Sequence, residues 1–414
     1  MIISHFNRYF EGKVLPQIKE LLTNYGEVVE LWCDCPLDIE KKYSEKLRDV
    51  VHELRPGCRI NSRIGNDCGD FDSLGDNQIM TFRQSRPCES PITLNHTWGF
   101  KFDDEDWKSS SLIAERMASL ASRDANLLVN VGPRPDGALP DGTIRILREL
   151  AGWKQSLPEN VLAGSGPSRF AQNFDWGYST TTGNVLNLFL KKTDRPVEIS
   201  GIRNRVRSAD VPFTQNGESL TLQVQDLPAS LLPLARVTLD GEPDITPGFL
   251  PQNGVLILTP ADGRISAEND SADAAGIFGV DGVRIAGSSH MSVARDGTLA
   301  SWHNPADRIS WQVAFPSGGN FRVEIVSFMP FHARPWVGDR DVEVFMNDLP
   351  LIGHRLLPDR LLEGGPHPVM ASSLGVVTFP PDTRGIVSLR TSGIFSDAAR
   401  IINLVELRFV KVKD

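Results

Sequence analysis

The spacing of apolar positions changes character once along the chain, and that change divides it. Phe6, Tyr9, Phe10, Val14, Ile18, Leu21, Leu22 and Tyr25 recur at roughly helical intervals with Lys and Glu between them. Pro16 suits a first helical turn, so the pattern predicts a helix from there to Asn24. Gly26 closes it, and Val28, Val29, Leu31 and Trp32 predict a short strand ending on Asp34. A second helix is predicted over Ile39 to Leu54, stopped by Pro56-Gly57. A strand at Cys58–Arg63 follows, then a Gly- and Asp-rich loop from Gly65 to Asn77. Another strand is expected around Gln78–Gln84, before a polar segment reaching Trp98. Trp107 to Ser122 reads as helix, Ala125 to Pro133 as a strand and turn, and Ile144 to Gln155 as helix. This β-α-β-α rhythm predicts a parallel sheet wrapped by helices.

From Gly164 the apolar runs become short and alternating, and turn residues recur. Val185–Leu190, Val197–Ile199, Leu220–Val224 and Leu234–Leu239 predict an all-β segment of sandwich type. Thr246-Pro247-Gly248 and Pro251-Gln252-Asn253-Gly254 read as a linker region. Beyond it, Ile309–Phe315, Phe321–Phe328, Asp341–Met346, Leu374–Phe379, Gly385–Arg390 and Ile401–Val410 predict a larger all-β unit of jelly-roll type. The expected division is therefore an α/β part over residues 1–158, a small antiparallel sandwich over 159–245 and a jelly roll over 246–414.

At 414 residues, two or three domains are expected. A 40% hydrophobic content and a formal net charge of −9 fit a globular protein and argue against nucleic-acid binding, which calls for a basic face. No apolar run approaches the ~18–20 residues of a membrane-spanning helix, so no membrane partner is expected. No leader is legible at the N-terminus, so the compartment stays open: cytoplasmic as written, secreted or periplasmic if a segment has been lost. The five cysteines are Cys33, Cys35, Cys58, Cys68 and Cys88. An odd count without a partnering His cluster favours buried free thiols over a metal site.

An Asp at the C-terminal end of a parallel strand stands where (β/α) barrels carry their active sites. Asp34 occupies such a place, with helix capping as the plainer reading.

Further motifs add to Asp34. Glu30-Leu31-Trp32-Cys33-Asp34 is followed by Asn61-Ser62-Arg63-Ile64-Gly65 and by Gly69-Asp70-Phe71-Asp72-Ser73-Leu74-Gly75-Asp76-Asn77. Then come Cys88-Glu89-Ser90-Pro91, Thr97-Trp98-Gly99-Phe100, Asn126 to Pro133 and Asp136-Gly137. In this order and spacing the chain resembles the α-L-fucosidases of glycoside hydrolase family 29 over roughly residues 5 to 245. The resemblance implies a retaining, two-step hydrolysis of terminal α-L-fucose from glycans or small fucosides, without cofactor or metal. In such a reaction the two carboxyl groups lie ~5–5.5 Å apart.

Residue by residue, the match implies that Asp34 is the nucleophile, although Cys33 departs from the family's usual Phe or Asn. It points to Asp76 as acid/base with Glu89 the alternative, and to Asp70 and Asp72 as weaker candidates. Arg63 matches the strand-end Arg beside the nucleophile, where a guanidinium favours a charged carboxylate. Trp98 matches the aromatic on the apolar face of fucose, and Trp32 joins the sugar-binding set.

A full barrel takes ~250 residues, whereas about 155 precede the all-β region here. The family's early strands and sugar-holding His pair have no counterpart among the eight His residues. The expectation is a partial (β/α)8-type barrel whose open edge is covered by a homo-oligomer or a complementing chain. The alternative is a catalytically impaired or truncated homologue acting as a glycan-binding or structural protein. The last 165 residues more loosely resemble glycosidase-appended carbohydrate-binding modules. That resemblance implies sugar stacking by Trp302 and Trp336, and weakly a calcium site at Glu268, Asp270 and Asp273.

Overall fold

The computed structural model describes the chain except for residues 1, 35–38, 78, 81–82, 84–85, 173, 267–290, 294–297, 303, 330–335, 337, 339, 364–367, 395–401 and 413–414. Cys35 and the Glu268, Asp270 and Asp273 group therefore lie outside the described residues. The described fold is mixed, with few helices and many strands. It divides into two compact units, residues 1–109 with 123–147 and residues 110–122 with 148–414.

The first unit opens with α1 (Ile2–Tyr9), a π-helical turn (Phe10–Val14) and α2 (Leu15–Asn24). Gly26, at φ 91°, turns the chain out of α2. The Arg55 side chain then donates to the carbonyls of Leu22 (2.6 Å) and Gly26 (3.0 Å), a cation at a helix C-terminus. The chain emerges as β1 (Glu30–Leu31), α3 (Lys41–Leu54) and β2 (Arg59–Ile60). Leu22, Val51, Cys58, Ile60, Ile64 and Cys68 form the buried core here. Next come β3 (Asp72–Ser73), β4 (Cys88–Thr93), α4 (Ser110–Ala121), β5 (Ala125–Asn130) and α5 (Asp141–Ser156). α4, and α5 from Arg148 on, belong to the second unit.

β1 pairs with β2, and β3, β4 and β5 pair in that order, all in parallel. A parallel bridge from Asn61 to Phe71 joins the two sets.

The strand placed around Gln78–Gln84 falls partly on residues outside those described, and the strand that is seen lies later, at Cys88–Thr93. All six of its residues are buried, although half are polar. Their polar groups are matched: Ser90 Oγ accepts from Met80 N (3.2 Å), and Thr93 N donates to Asn77 Oδ1 (2.9 Å).

The second unit continues with β6 (Gly177–Thr182), β7 (Val185–Leu190), β8 (Val197–Ser200), β9 (Val206–Ala209), β10 (Phe213–Asn216), β11 (Ser219–Leu222) and β12 (Leu234–Leu239). They form two sheets, β6-β7-β12-β9 and β10-β11-β8. Leu186, Leu188, Val237, Ile199 and Leu220, drawn from both sheets, share one core.

The region read as a linker is built into the structure. Phe249 N donates to Gln312 O (2.7 Å), and Ala314 N donates to Phe249 O (2.9 Å). Gly248 (φ 93°) passes so close to the Gln312 carbonyl that a Cβ would sit 2.7 Å from it. Pro and Gly serve close approach here, not freedom.

The remaining strands are β13 (Val255–Leu258), β14 (Arg264–Ser266), β15 (Ser292–Val293), β16 (Leu299–Ala300), β17 (Arg308–Phe315), β18 (Gly319–Phe328), β19 (Arg340–Met346), β20 (Leu349–Arg355), β21 (Arg360–Glu363), β22 (Val369–Phe379), β23 (Thr383–Ile394) and β24 (Asn403–Lys411). Two sheets result, β14-β17-β23-β19-β20 and β15-β16-β24-β18-β22-β21, with β13 added on β24. Their common core includes Phe315 stacked on Phe379 at 4.0 Å.

Trp302 is fully buried there and donates its indole N–H to the Ile402 carbonyl, so it is no exposed sugar platform. The buried Arg340 guanidinium lies 4.2 Å over its ring, and burial lowers that guanidinium to about 9. Trp336 is half-buried, with its Nε1 donating to Ser327 Oγ at 3.0 Å.

On α4, Glu115 accepts from Tyr178 (2.9 Å) and pairs with Lys191 (3.0 Å). Burial alone would raise its carboxyl. The Lys191 and Tyr178 hydrogen bonds outweigh that and hold it below the usual 4.5. A depressed carboxyl stabilises the fold above its unfolded value, and the gain is lost as pH falls through the folded one. Glu115→Gln is therefore expected to lower the urea midpoint at pH 7 by the equivalent of about 1 kcal/mol, after discounting for solvent. The gap between parent and variant should narrow below about pH 4. A gap that stays constant across that range would deny the ion pair its role.

Candidate active site

Three side chains sit a single turn beyond three neighbouring strand ends. β1 ends at Leu31, and the chain runs through Trp32 and Cys33 to Asp34. β2 ends at Ile60, and a 3-10 turn, Ser62–Ile64, carries Arg63. β3 ends at Ser73, followed by Leu74, Gly75 and Asp76. Because the strands are parallel and adjacent, all three residues arrive at the same end of the sheet.

The backbone before Asp34 is fixed by Asn61, which is fully buried. Its Oδ1 accepts from Cys33 N and its Nδ2 donates to Cys33 O, both at 2.8 Å. The Asp76 loop is tied to β4 by Leu74 N donating to Glu89 O (3.0 Å) and Asn77 N to Pro91 O (2.9 Å). Asn77 takes the left-handed conformation (φ 57°) that Asn tolerates, and its Oδ1 also accepts from Thr93 Oγ1 at 3.1 Å.

Arg63 joins the acids. Its Nη1 donates to Asp34 Oδ1 (2.7 Å), and its Nη2 donates to Asp76 Oδ1 (3.0 Å) and to Leu74 O (2.8 Å). The guanidinium lies 4.8 Å from the Trp32 ring centre. Its side chain is only 12% exposed, against 53% for Asp34 and 57% for Asp76. A shielded cation thus holds two carboxylates that face solvent.

Glu89 is placed differently. It is 5% exposed, and its Oε1 accepts from Trp32 Nε1 (2.5 Å) and Ser73 Oγ (2.9 Å). It supports the indole on which Arg63 rests. Burial, and then the Glu89 charge, push the nearby Glu30 carboxyl above its usual range. Burial also raises the Cys33 thiol to about 11, which leaves it a protonated, weak nucleophile. Cys33, Cys58, Cys68 and Cys88 are free thiols.

The weaker candidates are engaged elsewhere. Asp70 accepts from Ile60 N (2.8 Å) and meets His52 Nε2 at 3.0 Å, while Asp72 pairs with Arg86 at 3.5 Å. Trp98 stands on the loop after β4, half-buried, and its carbonyl accepts from Asn130 Nδ2 (2.7 Å). Sequence reasoning passed over Asn61, Ser73 and Asn77. The one available signal was that each directly adjoins a motif residue or strand end. Among the described residues, no three His, Cys, Asp or Glu side chains converge as a metal site.

Two solvent-facing carboxylates on one arginine thus stand together at one end of a parallel sheet. Residues 3–158 match the profile of the α-L-fucosidase family. An α-L-fucosidase of Dictyostelium discoideum is 23% identical over 205 residues, covering 46% of this chain and 44% of that protein. The chain spans less than half the length of the curated relatives it matches.

Among solved structures, the α-L-fucosidase of Vibrio sp. strain EJY3 shares the fold. Its TM-score is 0.69 at 20% identity, over 98% of this chain and 70% of that one. α-L-fucosidase isoenzyme 1 of Paenibacillus thiaminolyticus gives a TM-score of 0.52 at 27% identity, over 57% and 63% respectively.

Proposed function

We propose that the chain is a retaining α-L-fucosidase, with fucosylated glycans or small fucosides as substrates. Asp34 is the nucleophile that attacks the anomeric carbon, and Asp76 is the acid that protonates the leaving oxygen and then activates water. The observation that carries this reading is the single Arg63 guanidinium bonded to both carboxylates. It holds them side by side, and both stay open to a ligand. Glu89, buried and accepting from two donors at Oε1, serves as a positioning group beneath Trp32 and Arg63. Trp98 is the aromatic offered to the sugar's apolar face.

The same reading takes the first unit as part of a (β/α)8-type barrel, followed by a small β-sandwich and a jelly roll. Among the described residues, β1 pairs only with β2. Tyr25 and Val29, which precede it, are 67% and 68% exposed. These features support cover by a second copy or a complementing chain along that edge.

The test is hydrolysis of 4-nitrophenyl α-L-fucoside, with the first-formed sugar followed by proton NMR. Release of the α anomer supports double displacement. Release of the β anomer would make the enzyme inverting. Absence of turnover would leave a glycan-binding or structural homologue.

A further inference from the structure

The outer face of the sheet β15-β16-β24-β18-β22-β21 carries a charged cluster far along the chain from Asp34 and Asp76. On β18, Phe321, Val323 and Ile325 belong to the buried core, so the alternating Arg322 and Glu324 face away from it. On β24, Leu407 and Phe409 are core residues, which turns Glu406 and Arg408 outward. Glu324 stands directly opposite Arg408 across the antiparallel pair. Arg360 of β21 reaches the same carboxylate across the intervening strand β22, over the small side chains of Ala371 and Ser373.

Charge-assisted bonds fix the cluster. Arg322 Nε donates to Glu324 Oε1 (2.7 Å), and Arg360 Nη2 donates to Glu324 Oε2 (3.0 Å). Arg408 Nε donates to Glu406 Oε1 (2.5 Å). The side chains are ordered by depth. Glu324 is 5% exposed and Glu406 12%, against 25% for Arg408, 41% for Arg322 and 54% for Arg360. The acids form a lower layer, and solvent meets guanidinium above it. Each guanidinium has five N–H groups and gives only one or two of them to its carboxylate. Asp359, next to Arg360 in the chain, is taken up by Ser373 N (2.7 Å). Ile257 beside Arg408 and Val376 beside Arg322 are exposed apolar neighbours.

We infer that this face binds an oxyanion, a sulfate ester or a carboxylate, carried by a glycan. One cation is enough to pair a buried carboxylate. Here two arginines from separate strands converge on Glu324, each by a charge-assisted bond. The buried acids act as pegs that hold the guanidiniums in place before a ligand arrives, so little ordering is left to binding. Planar guanidinium forks match the paired oxygens of sulfate and carboxylate. Ile257 and Val376 offer apolar contact to the C–H groups of a sugar ring. A chain of formal net charge −9 has no general attraction for polyanions, so binding comes from this local array. That the carrier is a glycan rests on the hydrolase reading above; that it bears an oxyanion does not.

The test is calorimetric titration of the full chain with dextran sulfate, polygalacturonate and neutral dextran. One or both polyanions should bind, which tells sulfate from carboxylate, and dextran should not. Arg322→Gln and Arg360→Gln are each expected to weaken the bound polymer about tenfold. Arg207→Gln, an exposed arginine on the smaller sandwich, should change it less than about twofold. Glu324→Gln is the sharper variant. It makes the chain more positive yet should weaken binding at least about threefold, because the pegs are lost. Tighter binding by Glu324→Gln would reveal a diffuse cationic patch and overturn the site. Equal losses at 207 and 360, or binding of neither polyanion, would overturn it too. Where Glu324→Gln fails to fold, Arg360→Gln decides, since its side chain is the most exposed of the five. A DNA duplex bound as tightly as either polymer, and lost with the same variants, would overturn the glycan as carrier. None of these readings needs turnover, so an inactive chain that binds dextran sulfate through Arg360 keeps the oxyanion site and loses only the hydrolase reading.

Discussion

An Asp34→Asn chain is expected to lose hydrolysis of 4-nitrophenyl α-L-fucoside by roughly 10³–10⁵-fold while melting within a degree or two of the parent. The amide is nearly isosteric, and the Asp34 side chain is 53% exposed, so little packing changes. Bond formation to the anomeric carbon is lost, because an amide oxygen supplies no anionic nucleophile. Asp34→Gly in sodium azide sharpens the point. A small anion occupying the vacated space should restore turnover and yield the β-fucosyl azide, the product of a single displacement. A variant that keeps more than a tenth of the parent rate would move the nucleophile elsewhere, as would an azide product of the α configuration.

The second large effect concerns Asp76, and the leaving group makes it diagnostic. With a disaccharide, whose departing alkoxide needs a proton, Asp76→Asn should lower kcat/KM by about 10²–10⁴-fold. With a 4-nitrophenyl donor the first step needs little protonation, so kcat/KM should change far less while kcat falls through slow release of the fucosyl-enzyme. Glu89→Gln offers the contrast. It keeps an oxygen for Trp32 Nε1 and Ser73 Oγ, so its effect should stay under about tenfold and be alike for both donors. The opposite pattern, with leaving-group sensitivity at residue 89 and none at 76, would assign the acid to Glu89.

What could be read from the chain follows physical lines. Val185–Leu190 and Leu234–Leu239 are strands to the residue, because bounded apolar runs state their geometry locally. The place of Asp34 was legible for a related reason, since it closes a short apolar strand with a polar residue, whereas Arg63 was picked out by its match to the fucosidase motif. Cys88–Thr93 was not legible. Its burial depends on Trp32, Ser73 and Asn77, partners distant in sequence that no local period encodes. The same blindness left Asp76 and Glu89 as alternatives, because sequence does not separate a solvent-facing carboxylate from a buried one that accepts from an indole and a hydroxyl. Residues 246–254 misled in the opposite sense. Pro and Gly suggested slack where the chain bridges to Val313. Trp302, offered as a sugar platform, proved to be the base on which a buried arginine rests.

Asp34, Arg63 and Asp76 are each delivered by their own strand, one turn past the end, and this shapes how such a protein can diverge. Changes confined to residues 99–107 touch neither Asn61, which sets Asp34, nor Trp32, which seats Arg63, nor Trp98. A lineage could therefore exchange or lengthen that stretch and keep the Asp34–Arg63–Asp76 arrangement intact. On the reading proposed above, preference for one glycan over another would then drift faster than the chemistry itself.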